Sequence, residues 1–246
     1  MKYSAIDPKL YSHNRERFVK KMKSNAAIFH AHPTLPENGD AVYHDKPNSD
    51  VVWLSGIVQE KTMVILYPDN LDKKYREVLV ILRPNETLEI WYGHKLTKEE
   101  ASEISGIPTV IYLDQLDAML QAWMHHAEHV YLDTNENDRL DTTLPRLDLM
   151  YVHQLMKRYP LHKYERAAIL LKELRAIKTK NEVAVMQQAV DITHKALMRV
   201  CKFITPGVFE YEVEAEITHE FLRNRATRHA YGCIIASGDR ARILHY

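Results

Sequence analysis

His125, His126, Ala127, Glu128 and His129 contain a His-x-x-Glu-His spacing, the most metal-like pattern in the chain. On a helix this spacing sets two imidazoles four residues apart on one face with a carboxylate beside them, a set that can hold zinc for hydrolysis. Three fixed positions also arise readily by chance among 14 histidines, and no further carboxylate ligand suggests itself. The competing reading is the solvated end of a helix whose buried stripe runs through Leu116, Leu120 and Trp123. His30 and His32 could present two imidazoles on one side of a strand end, but no Cys, Asp or Glu stands nearby at ligand spacing. Glu210, Glu212, Glu214 and Glu216 resemble a carboxylate array. On a helix, however, 210/214 and 212/216 lie on different stripes, which predicts a solvated acidic face. Arg223, Arg225 and Arg228 fit a helix C-terminus, where the macrodipole favours positive charge without any ligand. Cys201 and Cys233 form neither a disulfide framework nor a Cys-x-x-Cys knuckle and read as small buried apolar residues. Gly-x-Gly-x-x-Gly, P-loop and Gly-x-Ser-x-Gly patterns are absent, so dinucleotide, nucleotide and serine-hydrolase readings have no motif behind them.

The charge balance narrows the partners. Lys plus Arg and Asp plus Glu number 33 each, so no global field recruits a polyanion; nucleic acid and membrane surfaces are not expected, and a small ligand is. Residues 1–18 carry charges throughout and lack an apolar signal core, and no later run is long enough to span a bilayer, so the expected location is cytoplasmic. A length of 246 residues exceeds one usual domain, and two are expected.

The elements that must position these residues alternate. Phe18 and Met22 predict a short amphipathic helix over 14–23, followed by a strand over 26–31. Runs rich in β-branched residues predict strands at 51–54, 62–67 and 77–82. Thr97 with Glu100 forms a capping box and Gly106 supplies the stop, so 98–105 is a helix, with a strand at 109–112. Leu116, Met119, Leu120, Trp123 and Ala127 predict a helix capped by Asp114, then a strand at 130–132. Residues 133–141 read as irregular and 144–159 as a helix ended by Pro160, with a domain boundary between 160 and 175. Thr179 with Glu182 opens a long helix with a stripe through Met186, Val190, Ala196, Leu197 and Val200. Val213, Ile217 and Phe221 mark another helix, and 231–237 reads as a strand ending at Gly238. The last four residues read as a strand without pairing partners, so the second domain is expected to be incomplete. The fold class is α/β, a mixed sheet flanked by helices.

Four ordered segments then resemble the aminopeptidase P (Xaa-Pro aminopeptidase) branch of the creatinase-like peptidases. Asn48-Ser49-Asp50 with Trp53-Leu54-Ser55-Gly56 is similar to a strand of that family's N-terminal domain. Glu89-Ile90-Trp91-Tyr92-Gly93 is similar to its Glu-x-Trp-x-Gly loop. Leu174 to Thr179 with Glu182, Met186 and Ala189 is similar to the entry into the catalytic domain. Pro206-Gly207, Glu210, Glu214-Ala215-Glu216, Ile234 to Gly238 and Leu244-His245-Tyr246 complete the set. Lys46-Pro47 and Pro84-Asn85 depart from the family's usual residues ahead of the first two segments.

The resemblance implies an N-terminal domain over 1–165 and the truncated start of an α+β pita-bread metallopeptidase domain over 174–246. It implies two divalent ions, manganese by family habit, whose shared water is activated to attack the scissile carbonyl. The substrates implied are peptides with proline at the second position, and the assembly implied is a homo-oligomer. The family's ligands, two Asp, one His and two Glu, lie downstream of Leu-His-Tyr, so no metal ligand is expected in this chain, which is expected to be inactive alone. His245 matches a family histidine beside the metals that contacts substrate or transfers protons. Trp91 matches a loop reaching toward a neighbouring subunit's active-site entrance, and the second reading is a non-catalytic oligomerisation or substrate-gating domain.

Overall fold

The computed structural model describes residues 6–23, 25–43, 47–137, 139, 143 and 146–246. Two compact units emerge, Ile6–Ile177 and Lys178–Tyr246. Among the described residues no helix is long and apolar enough to cross a membrane.

The first unit is built on one mixed sheet. Its strands are β1 (Ala26–His30), β4 (Met63–Leu66), β5 (Glu77–Ile81), β6 (Thr109–Tyr112), β7 (His129–Leu132) and β8 (Lys163–Arg166), ordered β6-β5-β4-β1-β7-β8. A separate two-stranded ribbon pairs β2 (Pro36–Asn38) with β3 (Ala41–Val42). In the main sheet β4 runs antiparallel to β1 and β5, while β1, β7 and β8 run parallel to one another. Strands buried on both faces need continuous apolar runs, and Ala26–His30 and Met63–Leu66 are buried at every position. Period-two alternation sends Ala27 and Phe29 to one core and Ala26 and Ile28 to the other. The first core lies under α1 (Pro8–Lys21), α2 (Ser49–Ser55), α4 (Lys98–Ser105) and α7 (Ala167–Ala176), through Phe18, Leu54, Ala101 and Leu171. The second lies under α5 (Leu116–Met124) and α6 (Leu147–Arg158), through Leu120, Trp123, Val152 and Leu155. A buried Arg15 ties the first layer together. Its Nε donates to Glu77 at 2.9 Å and its Nη1 to the carbonyls of Leu54 and Ser105 at 2.8 and 2.9 Å.

The second unit consists of α8 (Lys180–Phe203), α9 (Glu210–Arg223) and a 3-10 turn at Gly238–Arg242. Thr179 and Glu182 form the expected capping box at the start of α8. Arg199 pairs with Glu216 and stands 3.7 Å from Glu220, pinning α8 to α9.

Several expectations are corrected. Residues 51–54 lie in helix α2, because the Asn48 side chain caps the amides of Asp50 and Val51 and Gly56 closes the helix at φ 73°; the β-branched valines are outvoted by a cap and a stop. Residues 89–92 form the end of helix α3 (Glu86–Tyr92), not a loop; Asn85 caps it and Gly93 ends it at φ 78°. Asp114 does not cap α5: it lies in a 3-10 turn at Leu113–Gln115, and its carboxylate takes Arg83 at 2.8 and 3.0 Å. Residues 231–237 and 243–246 form no strand, since no strand of the second unit runs beside them among the described residues. The ribbon β2-β3, edge strand β8 and helix α7 have no counterpart in the sequence reading. The expected start of α6 at Leu144, residues 138, 140 and 141 of the segment 133–141, and Lys46 lie outside the described residues.

Candidate functional site

In the second unit the last turn of chain is held by one carboxylate. Glu210, at the first residue of α9, accepts hydrogen bonds from the Ser237 amide at 2.8 Å, the Ser237 hydroxyl at 3.2 Å and the Tyr246 hydroxyl at 2.9 Å. Arg240 lies 3.5 Å from the same carboxylate and donates to the Tyr246 hydroxyl at 2.8 Å. The Ser237 amide above all, then Tyr246, keeps the Glu210 carboxyl below its ordinary range. A carboxylate at a helix N-terminus is also favoured by the macrodipole. This network fixes both ends of the segment that carries His245, which is itself exposed.

The other acidic residues on α9 serve separate partners. Glu212 closes onto the Phe209 amide at 2.7 Å and Glu216 pairs with Arg199, so the four glutamates do not converge. Cys201 is exposed, against the expectation of burial, because it stands on an outer position of α8. Cys233 is half-buried with its Sγ 3.5 Å from His229 Nδ1, and His229 Nε2 lies 2.8 Å from the Thr218 hydroxyl. Burial pushes the Cys233 thiol up, which opposes the thiolate a nucleophile needs.

In the first unit Trp91 stands on α3, a helix with no buried residue. Ile90, Trp91 and Tyr92 are 82, 79 and 69 % exposed, an apolar face without cover among the described residues. The His-x-x-Glu-His spacing does not lie on one helix: α5 ends at Met124, and His129 already opens β7. His125, His126 and Glu128 instead line a shallow cleft with Tyr159, Leu161 and His162. Glu128 pairs with Lys163, and His162 Nε2 lies 2.7 Å from the Met124 carbonyl.

A polar cluster sits at the C-terminal ends of β1 and β7, the end of a parallel pair where α/β sheets commonly place ligands; sequence reasoning singled out its His30 but missed Asp133 and the convergence. His30 ends β1 and is buried against Tyr151 at 4.7 Å between ring centroids. The Asp148 carbonyl faces its ring, yet neither nitrogen makes a hydrogen bond of ordinary geometry among the described residues. Burial first, and His32 second, depress His30 to about 4, so it stays neutral at neutral pH. Asp133 follows β7 and is 2 % exposed. Asn48, already read as part of a family-like segment, donates to the His30 carbonyl at 3.0 Å and to Asp133 at 3.4 Å. For Asp133 itself the local signal is its place directly after the apolar run Val130-Tyr131-Leu132.

Among the described residues no three His, Cys, Asp or Glu side chains are placed to share a metal ion. They therefore do not fit the two-metal centre that the resemblance implies. His245 belongs to the second unit and Trp91 to the first.

Residues 11–131 match the family described as aminopeptidase P, N-terminal domain, and residues 184–246 match metallopeptidase family M24. The chain is 28 % identical to an Xaa-Pro aminopeptidase of Escherichia coli, over 99 % of this chain and 55 % of the relative. It is 32 % identical to an Xaa-Pro dipeptidase of Pyrococcus furiosus over 63 % of this chain and 40 % of that protein. A structure of E. coli aminopeptidase P with the inhibitor Pro-Leu superposes with a TM-score of 0.81 at 27 % identity, covering 99 % of this chain and 55 % of that one. The chain thus spans about half the length of the relatives it matches, and its neighbours are aminopeptidase P pita-bread folds.

Proposed function

The chain belongs to the aminopeptidase P family, corresponding to its N-terminal portion, and on that premise we propose that it forms part of an Xaa-Pro aminopeptidase. The reaction is metal-dependent release of the N-terminal residue that precedes proline. One observation carries the reading: an aminopeptidase P N-terminal domain and a metallopeptidase M24 segment follow each other in one chain. In this reading the N-terminal domain spans 1–165 and the catalytic domain begins near residue 174, with metal ligands beyond Leu244-His245-Tyr246. Manganese is the proposed metal, a bound pair supplying an activated water at neutral pH. His245 is proposed to contact substrate or carry a proton, on a segment held through Glu210, Ser237 and Tyr246. Proline removes an amide donor and restricts its neighbour, which is why a dedicated site suits these bonds.

The uncovered α3 supports a second role for the same chain, a contact surface through Trp91 that gates substrate or joins subunits. Trp is the type of residue most enriched in interface hot spots. Self-association and a cytoplasmic location belong to the same proposal.

The test uses two proteins and added manganese: this chain, and the product of the whole reading frame that encodes it. Release of the first residue from an Xaa-Pro-Xaa peptide, lost when alanine replaces proline, is expected from the second protein only. Dipeptides in parallel separate aminopeptidase from dipeptidase action. Turnover by the repurified chain alone overturns the placement of the ligands downstream, and silence of the longer product overturns the peptidase reading.

A further inference from the structure

We propose that Asp133 is a buried proton-binding site at the C-terminal edge of the sheet, a carboxyl kept neutral in the folded first unit whose ionisation loosens the first turn of α2 by repelling Asp50. The argument starts from a charge count. Three aspartates, Asp50 on α2, Asp148 on α6 and Asp133 after β7, interact in this region with two guanidinium groups. Arg175 on α7 is paired with Asp50, and Arg146 is paired with Asp148, its Nε donating at 3.2 Å. Asp133 is the acid left over. His30, the titratable group at the end of β1, is neutral and brings no compensating charge.

The hydrogen bonds agree with the count. An ionised carboxylate has about four acceptor sites to fill. Asp133 Oδ2 has one long bond from Asn48 Nδ2 at 3.4 Å, and Oδ1 has no partner among the described residues. A charge buried so thinly solvated is costly, whereas the neutral acid is not. Burial above all, and then the like charge of Asp50, raises the Asp133 carboxyl to about 7, against the pull of Asn48 and Arg175.

Asp50 makes the protonation consequential, because it stands in the helix start that Asn48 caps. The Asn48 Oδ1 accepts from the amides of Asp50 and Val51 at 2.8 and 3.1 Å, capping α2, while the Asn48 Nδ2 donates to β1 and to Asp133. One side chain thus joins two strand ends to a helix start. When Asp133 gives its proton to water, the new carboxylate repels Asp50 and competes with it for Arg175. The first turn of α2 and the last turn of α7 bear that competition. The folded acid holds its proton more tightly than the unfolded one, with a model-peptide value of about 3.9. Its contribution to stability is therefore fully present below about pH 4 and is lost as the pH rises through about 7.

Carbon-13 NMR of the carboxyl groups in the intact chain, between pH 4 and 9, reads the site directly. The Asp133 signal is expected to titrate near neutrality, and the hydrogen-exchange protection factors of the Asp50 and Val51 amides are expected to fall through the same midpoint. In urea, the Asp133 contribution is read as the difference in unfolding midpoint between the parent and Asp133→Asn, which mimics the neutral acid, because His30, kept neutral by burial, adds to both proteins a contribution that rises with pH; from pH 5 to 7 the parent should lose stability relative to the variant. An Asp133 signal already ionised at pH 5 overturns the proposal, as does a difference that stays constant over this range. If Asp133→Asn does not fold, the titration and exchange data on the parent decide alone.

Discussion

Replacing Trp91 by alanine separates a contact surface from a core. Trp91 is 79 % exposed on a helix with no buried residue, so about a fifth of its surface is covered. A tryptophan buries roughly 200 Å² when fully enclosed, so truncation re-exposes on the order of 40 Å², or about 1 kcal/mol at about 25 cal/mol per Å². Alanine is the better helix former by about 0.5 kcal/mol, which offsets half of that loss. The net expectation is a change in unfolding free energy within about 0.5 to 1 kcal/mol, against roughly 3 to 5 kcal/mol for an enclosed aromatic. Urea unfolding of the dilute variant measures this quantity, and sedimentation at rising concentration measures association in the same samples. Weakened self-association with near-parental stability, or a raised Michaelis constant in the longer enzyme, is the expected result. A loss above about 2 kcal/mol with association unchanged would refute the reasoning, because it would mean that Trp91 is covered in the folded monomer.

Changing His125 and His129 together to alanine should leave bound zinc at the background level and alter stability by less than about 0.5 kcal/mol, since His125 lies just past the end of α5 and His129 opens β7; stoichiometric zinc that vanishes in the variant, read by metal analysis, would contradict this. Gly56→Ala should cost about 2 to 4 kcal/mol in a denaturation experiment, because left-handed backbone at φ 73° is unfavourable to a side chain and the new Cβ would meet the Tyr11 ring at 2.4 Å. A nearly unchanged midpoint would show that Tyr11 moves aside freely.

The parts of the fold legible in the sequence are those specified by neighbouring residues. Capping boxes at Thr97/Glu100 and Thr179/Glu182 lie within three residues of each other, and both are present in the structure. The apolar runs of β1, β4 and β5 were readable because burial on both faces leaves no polar alternation to decode. The misreading of 51–54 has the same root. Val51 and Val52 favour strand locally, while the decision lay in Asn48 and Gly56 at the ends of the segment. Strand β8 escaped notice because Lys163, Tyr164, Glu165 and Arg166 are the residues of a charged sheet edge, a composition that guards against pairing and hides the strand from a hydrophobic pattern. Helix α8 shows the limit from the other side. Its stripe was readable, yet Met186, Val190 and Leu197 remain about half exposed, since periodicity reports that a face exists and not what covers it.

Chemistry is less legible than fold for a related reason: local spacing is visible in a sequence, and convergence is not. His125 to His129 has ligand-like spacing, but a helix end at Met124 and a strand start at His129 break the geometry that the spacing promised. Asp133 has no motif around it, and the residues that govern its protonation, Asn48 with Asp50, Asp148 and Arg175, come from three places along the chain. Only the parallel pairing of β1 with β7, together with α2, α6 and α7 laid across the same sheet end, brings them to one site. The imbalance of three acids against two guanidinium groups is thus a property of the topology. Had β1 and β7 not been neighbours, Asn48 could not reach both strand ends, and Asp133 would be an ordinary solvated aspartate beyond a strand.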